Sequence, residues 1–293
     1  MSRRIQVMIA GAQKAGTSSL KHYLGQHPDI HTHERNEIVF FIHDPEYSLG
    51  YEQVYPGYFG AGPPEHALIL AKSAGIMYMP EAVDRLWEHN PDIRIIVSLR
   101  NPVDRAYSAY WHARRKGWEN LDSFQDALDA EPARLREDRT KWRQCAYVDR
   151  GKYCDQVVRL WERFGKEQVT IVFLDDLHKD PLGSCRKLFS ELGIDPDFTP
   201  LSREHANRAA TVRSAWVAKL LVSSGAIKSG ISWLIPSGAR FHIRKRVKQF
   251  NEVGFVPPPI DPEARVRLQE YFEPYNVELR RLLGRDLGQW GRS

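Results

Sequence analysis

With 293 residues, the chain is long enough for one large α/β domain, or two small ones, around a sizeable core. Apolar residues at 42% and charged residues at 27% are ordinary for a globular protein, and no apolar run is long enough to span a bilayer. The formal charge of +5 and the pI near 9.0 suit an anionic ligand without by themselves arguing for nucleic acid.

In chain order, apolar strands alternate with amphipathic helices. Residues 4–10 predict a strand and not a secretory signal, because Gly11 and Gln13 break the short apolar run. A helix follows at 17–26, then a short strand at 67–71 (ALILA) and a helix at 80–90. Residues 93–99 (IRIIVSL) are a β-branched run too short for a helix and read as a buried strand. A helix over 102–115 has Pro102 in its first turn. The charge-rich stretch 119–141 reads as a solvated helical excursion. A helix over 147–164 ends at Gly165, a strand follows at 168–174 (QVTIVFL), and a helix over 181–192 stops at Gly193. The alternation predicts an α/β fold, a central parallel sheet with helices on both faces. After Pro200 the rhythm is lost. Residues 222–236, with Trp233, are apolar and glycine-rich, Arg240, Arg244, Lys245, Arg246 and Lys248 form a basic run, and a terminal helix is capped by Asp261. Cys145, Cys154 and Cys185 show no metal or CxxC spacing, and three reduced thiols are a simpler reading than a Cys145–Cys154 bridge. The expectation is a cytoplasmic protein.

The first strand leads into Gly11-Ala-Gln-Lys14-Ala15-Gly16-Thr17-Ser18-Ser19. Its two glycines keep the spacing of the nucleotide-triphosphate loop GxxxxGK[ST], so backbone N–H groups can curl around an anion at a helix start. The lysine, however, lies inside the loop, and threonine takes its usual place. A second anchor is Arg100, at the carboxyl end of the 93–99 strand, where open α/β sheets bind ligands. Ser108 lies two turns into the following helix, and an arginine fork with a hydroxyl can grip a second phosphate.

These two segments, GAQKAGTSSL and LRNPVDRAYSAYWH, resemble the two cofactor motifs of the sulfotransferases that use 3′-phosphoadenosine 5′-phosphosulfate (PAPS) and release 3′-phosphoadenosine 5′-phosphate (PAP). RNEIVFF, AKSAGIMYMP and GKYCDQVVRLWERFGKEQVTIVFLDDLHKDP resemble further segments of the heparan-sulfate branch. The resemblance implies a sulfotransferase fold with a P-loop-like sheet over a single domain, 1–293. Residues 200–260 would be its acceptor-side or lid segment and 261–293 its terminal helix. It implies that Lys14 stabilises the bridging oxygen and leaving phosphate, that Lys14, Ala15, Gly16, Thr17, Ser18 and Ser19 hold the 5′-phosphate, and that Arg100 and Ser108 hold the 3′-phosphate. Glu37 matches the family's catalytic base and Lys72 a lysine near the reacting centre, although Ala71 and Ala74 depart from the branch's Glu and Pro. Asn207, Arg213 and Ser214 resemble a late cofactor-closing segment, with Arg213 as a cofactor ligand. No late Arg-Lys-Gly loop is found, and the RRKG at 114–117 lies in the wrong place for it.

Glu37 is flanked by Val39, Phe40 and Phe41 and would be a tuned base if buried. His31, His33 and His43 lie nearby as alternative bases, and HTHERNEIVFFIH lacks the helical spacing of a metal site. The expected acceptor is a small molecule, glycan or lipid. The basic run is either a solvated helix face or a dock for an acidic acceptor or membrane surface. One rival reading is a small-molecule kinase with Mg²⁺ held by Asp175 and Asp176, and another is a non-catalytic nucleotide-binding module.

Overall fold

A computed structural model describes residues 3–60, 62–138, 140–200 and 257–290. The assignments at Asn207, Arg213, Ser214, 222–236 and the basic run 240–248 therefore lie outside the described residues. Three central strands are parallel neighbours: β1 (Val7–Gly11) runs between β3 (Leu68–Lys72) and β4 (Arg94–Leu99). Two short outer strands, β2 (Ile30–Thr32) beside β3 and β5 (Val169–Phe173) beside β4, complete the order β2-β3-β1-β4-β5.

Helices cover both faces, as the alternation required. On β1, Val7 and Ile9 point to one side, where they meet Leu20 and Leu24 of α1 (Thr17–Leu24). Leu174 and Leu177 of α9 (Leu174–Lys179) and Leu188 and Phe189 of α10 (Pro181–Leu192) share that cluster. Met8 and Ala10 point to the other, with Val83 and Leu86 of α4 (Pro80–His89) and Val157 and Leu160 of α8 (Tyr153–Phe164). A third cluster joins Ala106 and Tyr110 of α5 (Pro102–Lys116), Ala127 of α6 (Phe124–Glu137) and Phe272 of α11 (Pro262–Leu283). The remaining helices are α2 (Asp44–Tyr47), α3 (Tyr51–Phe59) and α7 (Thr140–Gln144). Asp261 caps α11 by accepting the Ala264 N–H at 3.0 Å. No described helix is long and apolar enough to cross a membrane, and the three cysteines are buried free thiols.

Two expectations change. The helix expected from residue 147 begins at Tyr153, because side chains from other elements take the peptide groups before it. Arg105 donates to the carbonyls of Ala146 (3.4 Å) and Tyr147, and the Glu131 carboxylate accepts the N–H groups of Val148 (2.8 Å) and Asp149 (2.9 Å). The 119–141 stretch is helical but not simply solvated: Glu119 and Glu131 are each 3% exposed. Glu119 accepts both prongs of Arg134, at 2.6 and 3.1 Å, and the Tyr147 hydroxyl at 2.8 Å.

Candidate active site

The carboxyl ends of the three central strands carry Lys72 (β3), the 11–16 turn (β1) and Arg100 (after β4). A metal-dependent phosphate site would want an acid beside the turn, and here both flanking positions are cationic. Asp175 and Asp176 follow the edge strand β5 and are engaged elsewhere. Asp176 pairs with Arg285 at 2.8 Å, and Asp175 accepts the Trp290 indole N–H at 3.4 Å. Among the described residues no cluster of His, Cys, Asp and Glu is placed to hold a metal.

The turn itself is built by left-handed residues. Lys14 (φ 70°) and Gly16 (φ 79°) both have positive φ, and Gly16 caps α1 without a side-chain bond. A Cβ on Gly16 would lie 2.4 Å from Cδ1 of Leu174, so the residue is fixed by close approach as well as by conformation. The first-turn N–H groups of α1 at Thr17 and Ser18 have no intrahelical acceptor and open toward the turn. Ala15 adds no free group, since its N–H donates to Ala12 (3.2 Å) and its carbonyl accepts the Ser98 hydroxyl (2.6 Å). It shapes the turn instead. Arg100 donates to the Lys14 carbonyl at 3.2 Å, tying the second anchor to the first, and makes no ion pair among the described residues.

Lys72 is 1% exposed, and its ammonium lies 3.3 Å from the Glu37 carboxylate and 3.0 Å from the Ser18 hydroxyl. Acid and cradle are thus bridged by one cation. Glu37 is only partly buried, its side chain 32% exposed, so the condition set for tuning by burial is not fully met. Burial, then the charges of Arg115, Arg100 and Lys72, pull the Lys14 ammonium down to about 8, with Glu37 opposing them. Arg115 belongs to the RRKG string that sequence spacing had set aside. It shares a face of α5 with Ser108 and His112, at intervals of four and three residues. His112 is pushed down to about 4 by burial, then by Lys14, Lys116 and Arg115. Ser108 is half-buried on that face. Three-dimensional proximity reveals Arg115, which sits outside the motifs, and gives His112, the last residue of the second motif, a place beside Lys14.

Of the three histidines offered as alternative bases, His33 is committed to structure. Its Nε2 accepts the Lys72 backbone N–H at 3.1 Å. His31 Nε2 lies 3.4 Å from the Phe59 carbonyl, and His43 Nδ1 is buried.

Comparison with known proteins identifies the family. The family model for the sulfotransferase domain matches residues 4–216. The chain is 27% identical to human bifunctional heparan sulfate N-deacetylase/N-sulfotransferase 3 over 98% of its own length, but spans 31% of that relative. It is 25% identical to mouse heparan sulfate glucosamine 3-O-sulfotransferase 5, over 96% of this chain and 73% of the relative. The crystal structure of a sulfotransferase from Alicyclobacillus acidocaldarius matches along the full length of both chains, at 27% identity and a TM-score of 0.72. A family match over most of the chain, on a phosphate-type turn whose flanking strand ends are cationic, leads to one assignment: the chain belongs to the PAPS-dependent sulfotransferase family.

Proposed function

We propose that the chain transfers a sulfuryl group from PAPS to a hydroxyl or amine of an acceptor by in-line displacement, with Glu37 as the base. The observation that carries this reading is the Glu37–Lys72–Ser18 chain, which sets the acid available to an acceptor beside the cradle that takes an anion. When bound, PAPS supplies the sulfuryl group and departs as PAP. Gly16, Thr17, Ser18 and Ser19 offer N–H and hydroxyl donors for the 5′-phosphate. Lys14 meets the charge that grows on the leaving oxygen, a role in which an oriented donor in a low-dielectric site contributes strongly. Arg100 and Ser108 take the 3′-phosphate, with Arg115 adding positive charge on the same helix.

Glu37 is open enough to meet an acceptor and holds the proton lost by the attacking group. Relatives named for sulfuryl transfer to nitrogen and to the 3-oxygen of heparan sulfate favour a glycan among the glycan, lipid and natural-product acceptors. The free thiols support a reducing, cytoplasmic setting. The kinase reading is not favoured, because its candidate metal ligands are engaged with Arg285 and Trp290 in the segment after α11.

The test is turnover of PAPS on a pooled acceptor panel in the presence of a chelator, read by the sulfate mass increment. Transfer that survives chelation and is lost in Glu37→Gln supports the assignment. Full turnover by Glu37→Gln removes the residue from its role, and product formed only with ATP and Mg²⁺ restores the kinase.

A further inference from the structure

The segment GKYCDQVVRL carries a family resemblance but no site residue so far, and its Tyr153 is 1% exposed at the start of α8. The tyrosine is held from three sides. Upstream, Arg105 and Glu131 grip the peptide groups of residues 146–149. Gly151 packs so closely that a Cβ there would lie 2.7 Å from the Phe272 ring and 3.1 Å from Pro102, the first residue of α5. The Tyr153 ring itself meets Trp290, with centroids 6.0 Å apart.

What this side chain reaches is the point where the chain leaves the sheet for α5. β4 ends at Leu99, which forms the last register pair with β5, opposite Phe173. The carbonyl of Arg100 lies one residue beyond that ladder and needs a donor from elsewhere. The Tyr153 hydroxyl donates to it at 2.9 Å. Burial pushes this phenol up to about 12, against the pull of Arg105 and Arg100, so the donor keeps its proton through the neutral range. The peptide held in this way joins Arg100 to Asn101. On one side of it, the Arg100 side chain donates to the Lys14 carbonyl at 3.2 Å. On the other, Asn101 caps α5 by accepting the Val103 N–H at 3.0 Å, and its carbonyl accepts the Arg105 N–H at 2.9 Å. Ser108 rides on that helix. A peptide is planar, so fixing its orientation constrains ψ of Arg100 and φ of Asn101 together.

We infer that Tyr153 is a positioning residue for the cofactor's 3′-phosphate: its hydroxyl fixes the Arg100–Asn101 peptide, from which both Arg100 and Ser108 are presented. The inference rests on the reading of those two residues as the 3′-phosphate ligands. Tyr153 acts through the backbone and is not itself a ligand. The 5′-phosphate cradle has supports of its own, the Ser98 hydroxyl on the Ala15 carbonyl and Leu174 under Gly16. Loss of the Tyr153 hydroxyl is therefore felt at one end of the nucleotide and not at the other.

Two nucleotides that differ only in the 3′-phosphate, PAP and adenosine 5′-phosphate (5′-AMP), test this by calorimetric titration of the full chain at one ionic strength. The wild-type protein should bind PAP more tightly than 5′-AMP. Tyr153→Phe keeps the ring and removes the hydroxyl. It should weaken PAP about fivefold, the worth of one typical hydrogen bond, and change 5′-AMP by less than about twofold. A merely structural role would weaken both nucleotides alike. Arg100→Gln should abolish most of the preference for PAP, and the double variant should lose less than the sum of the two single losses. Unchanged PAP affinity in Tyr153→Phe, equal losses for the two nucleotides, or additive losses in the double variant overturn the inference, while a wild-type preference for PAP leaves the 3′-phosphate assignment standing. A wild-type protein that binds PAP no better than 5′-AMP defeats that assignment, and the role given to Tyr153 with it.

Discussion

Charge is buried in two regions of this molecule, and the two treat it differently. Between α6 and the 146–151 segment, each buried acid is answered. Glu119 receives Arg134, the Tyr147 hydroxyl and the Leu121 N–H, and Glu131 receives two backbone N–H groups. Around the 11–16 turn, Lys14, Lys72, Arg100 and Arg115 gather with Glu37 as the acid that feels them. The first arrangement serves to fix backbone, with Arg105 on the Ala146 and Tyr147 carbonyls even though its Nε and Nη1 stay buried without a partner among the described residues. The second has an excess of positive charge, whose cost appears as the depressed Lys14. Acids answered by neighbouring donors mark structure here, and gathered positive charge marks the candidate site.

This contrast can be broken by experiment. The largest effect is expected from Lys14→Ala, which should lower kcat about 10²–10³-fold, as loss of an oriented donor does, without lowering the melting temperature. A parallel fall in calorimetric stability would mean that Lys14 is a structural charge after all. Next, Glu131→Ala should cost about 3 kcal/mol in urea unfolding while leaving PAP affinity intact, because it strands two N–H groups and removes the acid near Arg105.

A third expectation concerns pH. In the proposed role the ammonium is the active form of Lys14, and it is present below the pKa. In the free enzyme kcat/KM should therefore fall as pH rises through about 8, approaching tenfold per unit, and Lys14→Arg should move that limb upward. The smallest effect is a control in neither region. Asp261→Ala should cost about 1 kcal/mol by chemical denaturation and leave all kinetic constants unchanged.

Elements whose signals are local were legible in the sequence. α10 has the 181–192 bounds expected from Pro181 and Gly193, and β4 lies within the β-branched run whose last five residues are buried. β2 went unread because three residues, Ile-His-Thr, carry no periodicity, and they become a strand only by pairing with β3. The start of α8 was misplaced because Arg105 and Glu131, distant in sequence, decide where the peptide groups go. The site divides the same way. Lys14, Lys72, Arg100 and Glu37 lie in contiguous motifs, and the structure brings the first three to adjacent strand ends with Glu37 against Lys72. Arg115 lies outside the motifs and His112 only ends one, and both matter because α5 carries them toward Lys14.

The close approach of Gly16 to Leu174 carries a mechanical consequence. The floor beneath Gly16 in the candidate turn is made by Leu174 and Leu177, both supplied by a helix that begins where the edge strand stops. The volume at residue 174 therefore helps to set the height of the turn, together with its bonds to Ser98. A smaller side chain there would let the floor sag, retuning affinity from beneath with no polar atom touched.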